Sequence, residues 1–247
     1  MNSTSKEDAP SKAPKRKGLK WSKFLMEFLS IFSAVLLAFA LNNWNDNRKT
    51  KDIEVNILKE IYNGLELDAE DVELNVLGHK FGVKSANYFH NLLVGNEVNP
   101  DSIVFYRRML VRDFISIQNT SGYESLKSQG LNVIENDKLR SEIISLYEYN
   151  YKLIEKIEEH YAAQQFFISY ARRFNEAIAS NIEFDDDNKM TSITLPLQLS
   201  QQGRKSLLLD LHTISEDRKF TMKFYDKVAE QIEKTRNLIE DELGSVE

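Results

Sequence analysis

Few residues in this sequence have the type and spacing that catalysis needs. The four histidines are His79, His90, His160 and His212. None follows a glutamate by three residues, the spacing that puts carboxylate and imidazole on one helix face in di-iron bundles. His160 comes directly after Glu158 and Glu159, and a solvated, charged helix face accounts for that run. No Gly-rich phosphate loop, no nucleophile elbow and no paired-histidine zinc motif occurs. The chain has no cysteine, which removes disulfides, thiol nucleophiles and thiolate zinc sites. Asp185, Asp186, Asp187 and Asn188 could face a calcium ion. They lack the alternating ligands, central glycine and distal glutamate of a calcium loop, so a solvated loop is expected. Tyr170, Arg172, Arg173 and Phe174 could frame a ligand pocket, or lie on a helix surface beside the core. The residues therefore lead to no enzyme, and to no catalytic, cofactor-binding or metal-ligating set.

One titratable group stands in an unusual place. Glu27 is the single charge in residues 24–41, FLMEFLSIFSAVLLAFAL. At 1.5 Å per residue this stretch spans about 27 Å, near the roughly 30 Å of a bilayer's hydrocarbon core. The only tryptophans, Trp21 and Trp44, bracket it. They are about 34 Å apart along a helix, which suits two interfacial belts. Apolar side chains at a few tenths of a kcal/mol each outweigh one carboxylate costing about 3 kcal/mol. A buried core helix would rarely be apolar on every side for this length, so a transmembrane helix over residues 21–44 is expected. Ala38 and Ala40 also fit a signal-peptide cleavage site. The long tail before the apolar run favours an uncleaved anchor.

Charge sets the expected orientation. Seven cations and two acids lie in residues 1–23, a balance of +5, so the rest of the chain carries −11 of the total −6. Cations just before a span stay cytoplasmic. The expected layout is a basic, disordered cytoplasmic tail (1–20), a span (21–44) and an extracytoplasmic helical domain (45–247), periplasmic in a diderm bacterium. The lipid bilayer is then the first partner, and the acidic domain disfavours nucleic acid.

Glu27, Ser30, Ala34 and Ala38 recur at steps of three, four and four, so they share one face of the span. Small residues at that spacing allow close helix approach, and a carboxyl can hydrogen-bond across. Three readings follow: a glutamate that snorkels to the interface, a helix–helix interface, and a protonatable group in a proton path. Asn42, Asn43 and Asn45 sit where the helix leaves the lipid. They read either as a polar cap or as a docking site for another membrane protein.

Beyond Trp44 the pattern stays helical. Ile57, Leu58, Ile61, Leu65, Val72, Val76 and Leu77 repeat at three- and four-residue steps. The span is expected to continue as a long juxtamembrane helix to about residue 93, with Gly64 and Gly78 as weak points. Residues 94–101 form a turn, and Asp101 caps a short helix to about residue 114. Thr120, Ser121 and Glu124 suggest a capping box for a helix ended by Gly130. Asn136 or Asp137 opens what should be the longest helix, to about residue 180. Its inner stripe includes Leu139, Ile143, Leu146, Ile154, Ile157, Tyr161, Ile168 and Phe174. Residues 181–200 read as a loop. A last helix covers about 200–243, interrupted near Ser215. The fold class is therefore all-α: a transmembrane helix continuing into a long juxtamembrane helix, plus an antiparallel helical bundle.

The run Leu36-Leu-Ala-Phe-Ala-Leu-Asn-Asn-Trp-Asn-Asp-Asn-Arg48 closes a span that carries Glu27 near its start. It resembles an uncharacterised family of single-span bacterial membrane proteins whose N-terminal helix ends on an Asn-Asn-Trp-Asn motif. Thr120-Ser-Gly-Tyr-Glu-Ser-Leu-Lys-Ser-Gln-Gly130, followed by Ile134 and Leu139-Arg140, looks like that family's Thr…Glu-x-Leu-x-x-x-Gly stretch leading into a long helix. The chain departs in its longer basic tail and in Met26, where the family often has glycine. The resemblance implies one anchor and an extracytoplasmic helical domain, with no activity attached. The function expected from all of this is a membrane-anchored interaction or scaffold module, acting as a homo-oligomer or with another membrane protein. The alternative is a ligand-sensing bundle that signals through a partner.

Overall fold

The computed structural model describes residues 21–244; the basic tail 1–20 lies outside them. The fold is all-α, a long N-terminal helix and a helical bundle. The chain divides into two compact units after Thr50.

In the first unit the described chain is one helix. It belongs to α1, Trp21–Val94, which is long and apolar enough to cross a membrane: its most apolar 18-residue window has a mean hydropathy of 2.3 and buries nothing. Phe28 and Phe32 stack along its surface, ring centroids 6.0 Å apart. Asn42 Nδ2 donates to Asp46 Oδ2 at 3.0 Å, and the Arg48 guanidinium lies 6.0 Å from the Trp44 ring centre.

The second unit is built on an antiparallel pair, residues 51–94 of α1 and the C-terminal helix α7, Gln201–Gly244. Arg236 reaches the Tyr62 hydroxyl (3.4 Å), Arg218 meets His79 (3.4 Å), and Arg204 donates to the Leu93 carbonyl (2.8 Å). Numbers rise along α1 as they fall along α7, which fixes the direction. Between these helices in sequence come α2 (Ile103–Leu110), α3 (Ser121–Gln129), α4 (Asp137–Ser145), α5 (Lys152–His160) and α6 (Arg172–Ile178). Two wider π turns join α4 to α5 (Leu146–Tyr151) and lead into α6 (Phe167–Ala171).

Local chemistry sets several boundaries. The Asn136 side chain accepts from the Lys138 and Leu139 N–H groups and starts α4. Gly130, at φ +97°, ends α3 with a backbone that L side chains avoid. Asn99, rather than Asp101, caps the turn before α2, its side chain accepting from the Asp101 N–H at 3.0 Å. Thr120 makes no side-chain cap; its carbonyl takes the Glu124 N–H instead.

Four expectations about the elements are corrected. Helix α1 does not break at Gly64 or Gly78, which are points of close approach. A β-carbon on Gly64 would meet Asn119 Cβ at 3.2 Å, and one on Gly78 would overlap the Phe114 ring. Helix α7 also runs unbroken through Ser215. The expected long helix 137–180 is instead broken at Tyr161, which is extended (φ −84°, ψ 107°). No proline or glycine marks the break. Tertiary bonds hold it: Gln164 donates to the Asp217 carbonyl, and Asp113 accepts from the Phe167 N–H. The helical phase shifts there, so Phe166, Tyr170 and Phe174 turn inward while Tyr161 and Ile168 are exposed, Ile168 by 74%. Finally, residues 181–200 contain a hairpin, β1 (Ile182–Phe184) against β2 (Met190–Ile193), antiparallel with Ile182 opposite Ile193. Asp185 Oδ1 accepts from the Asp187 and Lys189 N–H groups in its turn, so this carboxylate shapes the turn.

Two apolar clusters fill the unit. One joins Leu58, Ile61 and Leu65 to Leu139, Ile143, Tyr225 and Ile232. The other joins Phe89 and Leu93 to Leu110, Phe166, Ile178 and Leu211. On α1 the first ends at Val72 and the second begins at Ala86; on α7 they meet the stretch between Ile214 and Tyr225. The buried residues in those gaps are mostly polar or glycine: Asn75, Gly78, His79, Gly82 and Ser85 on α1, and Ser215, Arg218 and Thr221 on α7.

Candidate functional site

The polar layer between the two clusters centres on Arg218, whose side chain has no solvent exposure. Its Nη2 donates to the carbonyl oxygens of Leu110 (3.0 Å) and Arg112 (2.8 Å). The Leu110 carbonyl is the last of α2, where the helix dipole is negative and the C=O groups lack intrahelical partners, and the Arg112 carbonyl lies two residues beyond the helix. The guanidinium carbon also lies 3.8 Å from the Phe166 ring centre and 5.5 Å from that of Phe114. A buried cation is thus solvated by carbonyls and aromatic faces. Burial pulls its pKa down to about 9, opposed by Asp113, so it remains charged at neutral pH.

Gly82 makes this arrangement possible. A β-carbon there would overlap Nε, Cδ and Cζ of Arg218. Four residues earlier, Gly78 admits Phe114 in the same way. Between them, His79 presents Nδ1 to Arg218 Nη1 at 3.4 Å. Arginine is only a donor, so Nδ1 accepts and the ring proton is assigned to Nε2. Burial, and then the Arg218 charge, push the imidazole pKa down to about 3.

Glu158 on α5 is the second buried charge site. Its Oε2 accepts from the Ser116 N–H at 3.0 Å, and Oε1 accepts from the Tyr225 hydroxyl. The Tyr225 ring lies 5.6 Å from His79. Desolvation raises the carboxyl to about 7, and these two hydrogen bonds work against that rise. The expectation of a solvated Glu158–His160 face is corrected for Glu158; His160 is exposed.

The same chemistry repeats along residues 112–120, a strap without regular structure. Asp68 Oδ1 accepts from the Asn119 N–H (2.7 Å) and Nδ2 (2.8 Å), while Oδ2 accepts from the Tyr151 hydroxyl (2.6 Å). Asp71 accepts from the Ile117 N–H at 3.1 Å. Further on, Glu54 accepts from the Glu135 N–H at 3.0 Å. Irregular backbone near a core leaves amides that need partners; here carboxylates of α1 and α5 supply them. The arrangement is a latch that holds the strap against two helices.

The side chains singled out from sequence lie elsewhere. Trp21, Glu27, Ser30, Ala34, Ala38, Asn42, Asn43, Trp44 and Asn45 are all on α1 and all exposed. Helical geometry gathers Glu27, Ser30, Ala34 and Ala38 into an arc of about 80°. The aromatic and basic group Tyr170, Arg172, Arg173 and Phe174 splits: Tyr170 and Phe174 are buried, Arg172 pairs with Glu176, and Arg173 reaches Asp210 at 2.9 Å. Sequence reasoning missed Arg218, Gly82, Asp68 and Glu158. The one signal was Gly78-xxx-Gly82 inside an otherwise strong helix. No family model, curated protein or solved structure matches this chain.

Proposed function

We propose that this protein is a membrane-anchored helical interaction or scaffold module without catalytic activity of its own. The observation that carries the reading is the apolar stretch of α1, whose 18-residue window is uncovered along its whole length. Trp21, 80% exposed, and Trp44, 62% exposed, stand at its two ends. In water such a surface would be a strong aggregation site; in a bilayer it is satisfied. The preceding cations support an N-terminus in the cytoplasm and a helical domain outside the inner membrane of a bacterium, as the resemblance to single-span membrane proteins also implies. The face formed by Glu27, Ser30, Ala34 and Ala38 is the proposed contact with a second copy or another membrane helix. Asn42, Asn43 and Asn45 cap the span at the outer interface.

A ligand-sensing bundle has less support, because Arg218, His79 and Phe114 fill the buried polar layer where α1 crosses α7. The deciding experiment places single cysteines at Ser11, Asn47 and Ser180 and treats intact cells with a membrane-impermeant thiol reagent. Labelling at Asn47 and Ser180 alone, with full-length protein in the membrane fraction, supports the reading. Labelling at Ser11 alone inverts the topology, and a shortened soluble product makes residues 1–40 a cleaved signal.

A further inference from the structure

A cleft of about 330 Å³ opens on the outer side of the α1–α7 pair. Its floor is apolar, made by Leu77 and Phe81 of α1 and Met222 of α7; Lys80, Lys84 and Lys219 stand around it. Leu74, 66% exposed, extends the floor by one turn of α1. Leu74, Leu77 and Phe81 thus form a row at steps of three and four, the register in which one helix lies along another.

The rim is locally basic in an acidic chain: residues 24–247 carry −11, yet three lysines line this one apolar cleft. Among the described residues Lys80 and Lys84 make no ion pair, and Lys219 pairs only with Glu216 of its own helix. Lys84 instead lies 5.3 Å from the centre of the Phe81 ring.

We propose that this cleft docks an acidic amphipathic helix of a partner protein, its apolar row on Leu74, Leu77, Phe81 and Met222 and its carboxylates against Lys80, Lys84 and Lys219. The charge of the surface selects the occupant. A second copy docking through the same cleft would bring lysine against lysine and no carboxylate row to meet them. An anionic bilayer would satisfy the lysines but offers no row of side chains in register with Leu74, Leu77 and Phe81. The inference rests on the reading of the domain as an interaction module and names the chemistry of its partner.

The test uses the full chain in nanodiscs of zwitterionic lipid. The probe is a labelled peptide of about five helical turns, with a leucine row at helical spacing and flanking glutamates, read by fluorescence anisotropy. Controls are a scrambled peptide, a lysine-flanked version and vesicles rich in phosphatidylglycerol. Saturable binding of the acidic peptide alone, weakened about tenfold or more by K80E/K84E and by L77D with unchanged thermal melting, is the expected result. Equal binding of the scrambled peptide, or no saturable binding, overturns the proposal. So does vesicle binding that needs the same lysines, or a sedimentation shift to a dimer that K80E/K84E abolishes. The cysteine-labelling experiment stands apart: a confirmed external domain with a silent cleft removes this inference and leaves the anchored module.

Discussion

Gly82 and Arg218 share one volume: the guanidinium stem lies where a β-carbon of residue 82 would be. This places a charged side chain at the crossing of α1 and α7, and it makes the identity of a helical residue depend on one 136 positions away. In an isolated helix Gly82→Ala would stabilise by about 1 kcal/mol. In this fold the overlap dominates, and forced repacking of a filled core costs about 1–3 kcal/mol or more. The urea midpoint of the solubilised full chain should fall for G82A, and for G78A through Phe114. A rise in either would show that the crossing of α1 and α7 is loose enough to admit a β-carbon.

Arg218→Ala should be among the most damaging substitutions in the protein. It strips the carbonyls of Leu110 and Arg112 of their shared donor and leaves a cavity against Phe166. Unsatisfied buried acceptors and lost packing together cost about 3–5 kcal/mol. Arg218→Lys keeps the charge and loses the planar fork, so it should recover only part of the loss. Chemical denaturation of the three proteins side by side measures the order; equal stability of lysine and arginine would remove the role given to the fork.

Glu158 gives the protein a pH dependence whose sign follows from its raised pKa. The unfolded carboxyl loses its proton near 4.5 and the folded one near 7. Between those values the native state holds the extra proton, so stability contributed at low pH is lost as pH rises through about 7. The full difference is about 3 kcal/mol. His79 acts oppositely: its folded pKa is depressed to about 3, so its contribution is present above about 6.5 and lost as pH falls. The two slopes oppose each other between about 4.5 and 6.5. Glu158→Gln isolates one of them. Its stability relative to the native protein should increase from pH 4.5 to 7 and then level off; a flat difference across that range would mean the carboxyl titrates normally.

Asp68→Ala should loosen the strap without dissolving the bundle. It removes the acceptor for the Asn119 backbone and side chain and for Tyr151. Hydrogen exchange should accelerate at residues 116–120 well before it does at Ile61 or Ile143, which are packed in the first cluster. Uniform acceleration would assign Asp68 to global stability instead.

The sequence by itself determined what depends on neighbours along the chain. Helical periodicity, the apolar run between Trp21 and Trp44, the Asn136 cap and the Gly130 stop are local, and each is read from residue type and spacing. The face that joins Glu27 to Ala38 follows from helix geometry alone. What only the tertiary structure decided are contacts between distant residues. Gly78 and Gly82 look like defects in a helix until Phe114 and Arg218 are packed against them. Glu158 looks like one acid in a charged run until Ser116 and Tyr225 close on it. The break at Tyr161 has no local signature, because the hydrogen bonds that hold it come from Asp113 and the Asp217 carbonyl. Periodicity records which face of a helix is apolar; it carries no record of which buried amides need a carboxylate, since that need arises only when the strap is laid against α1 and α5.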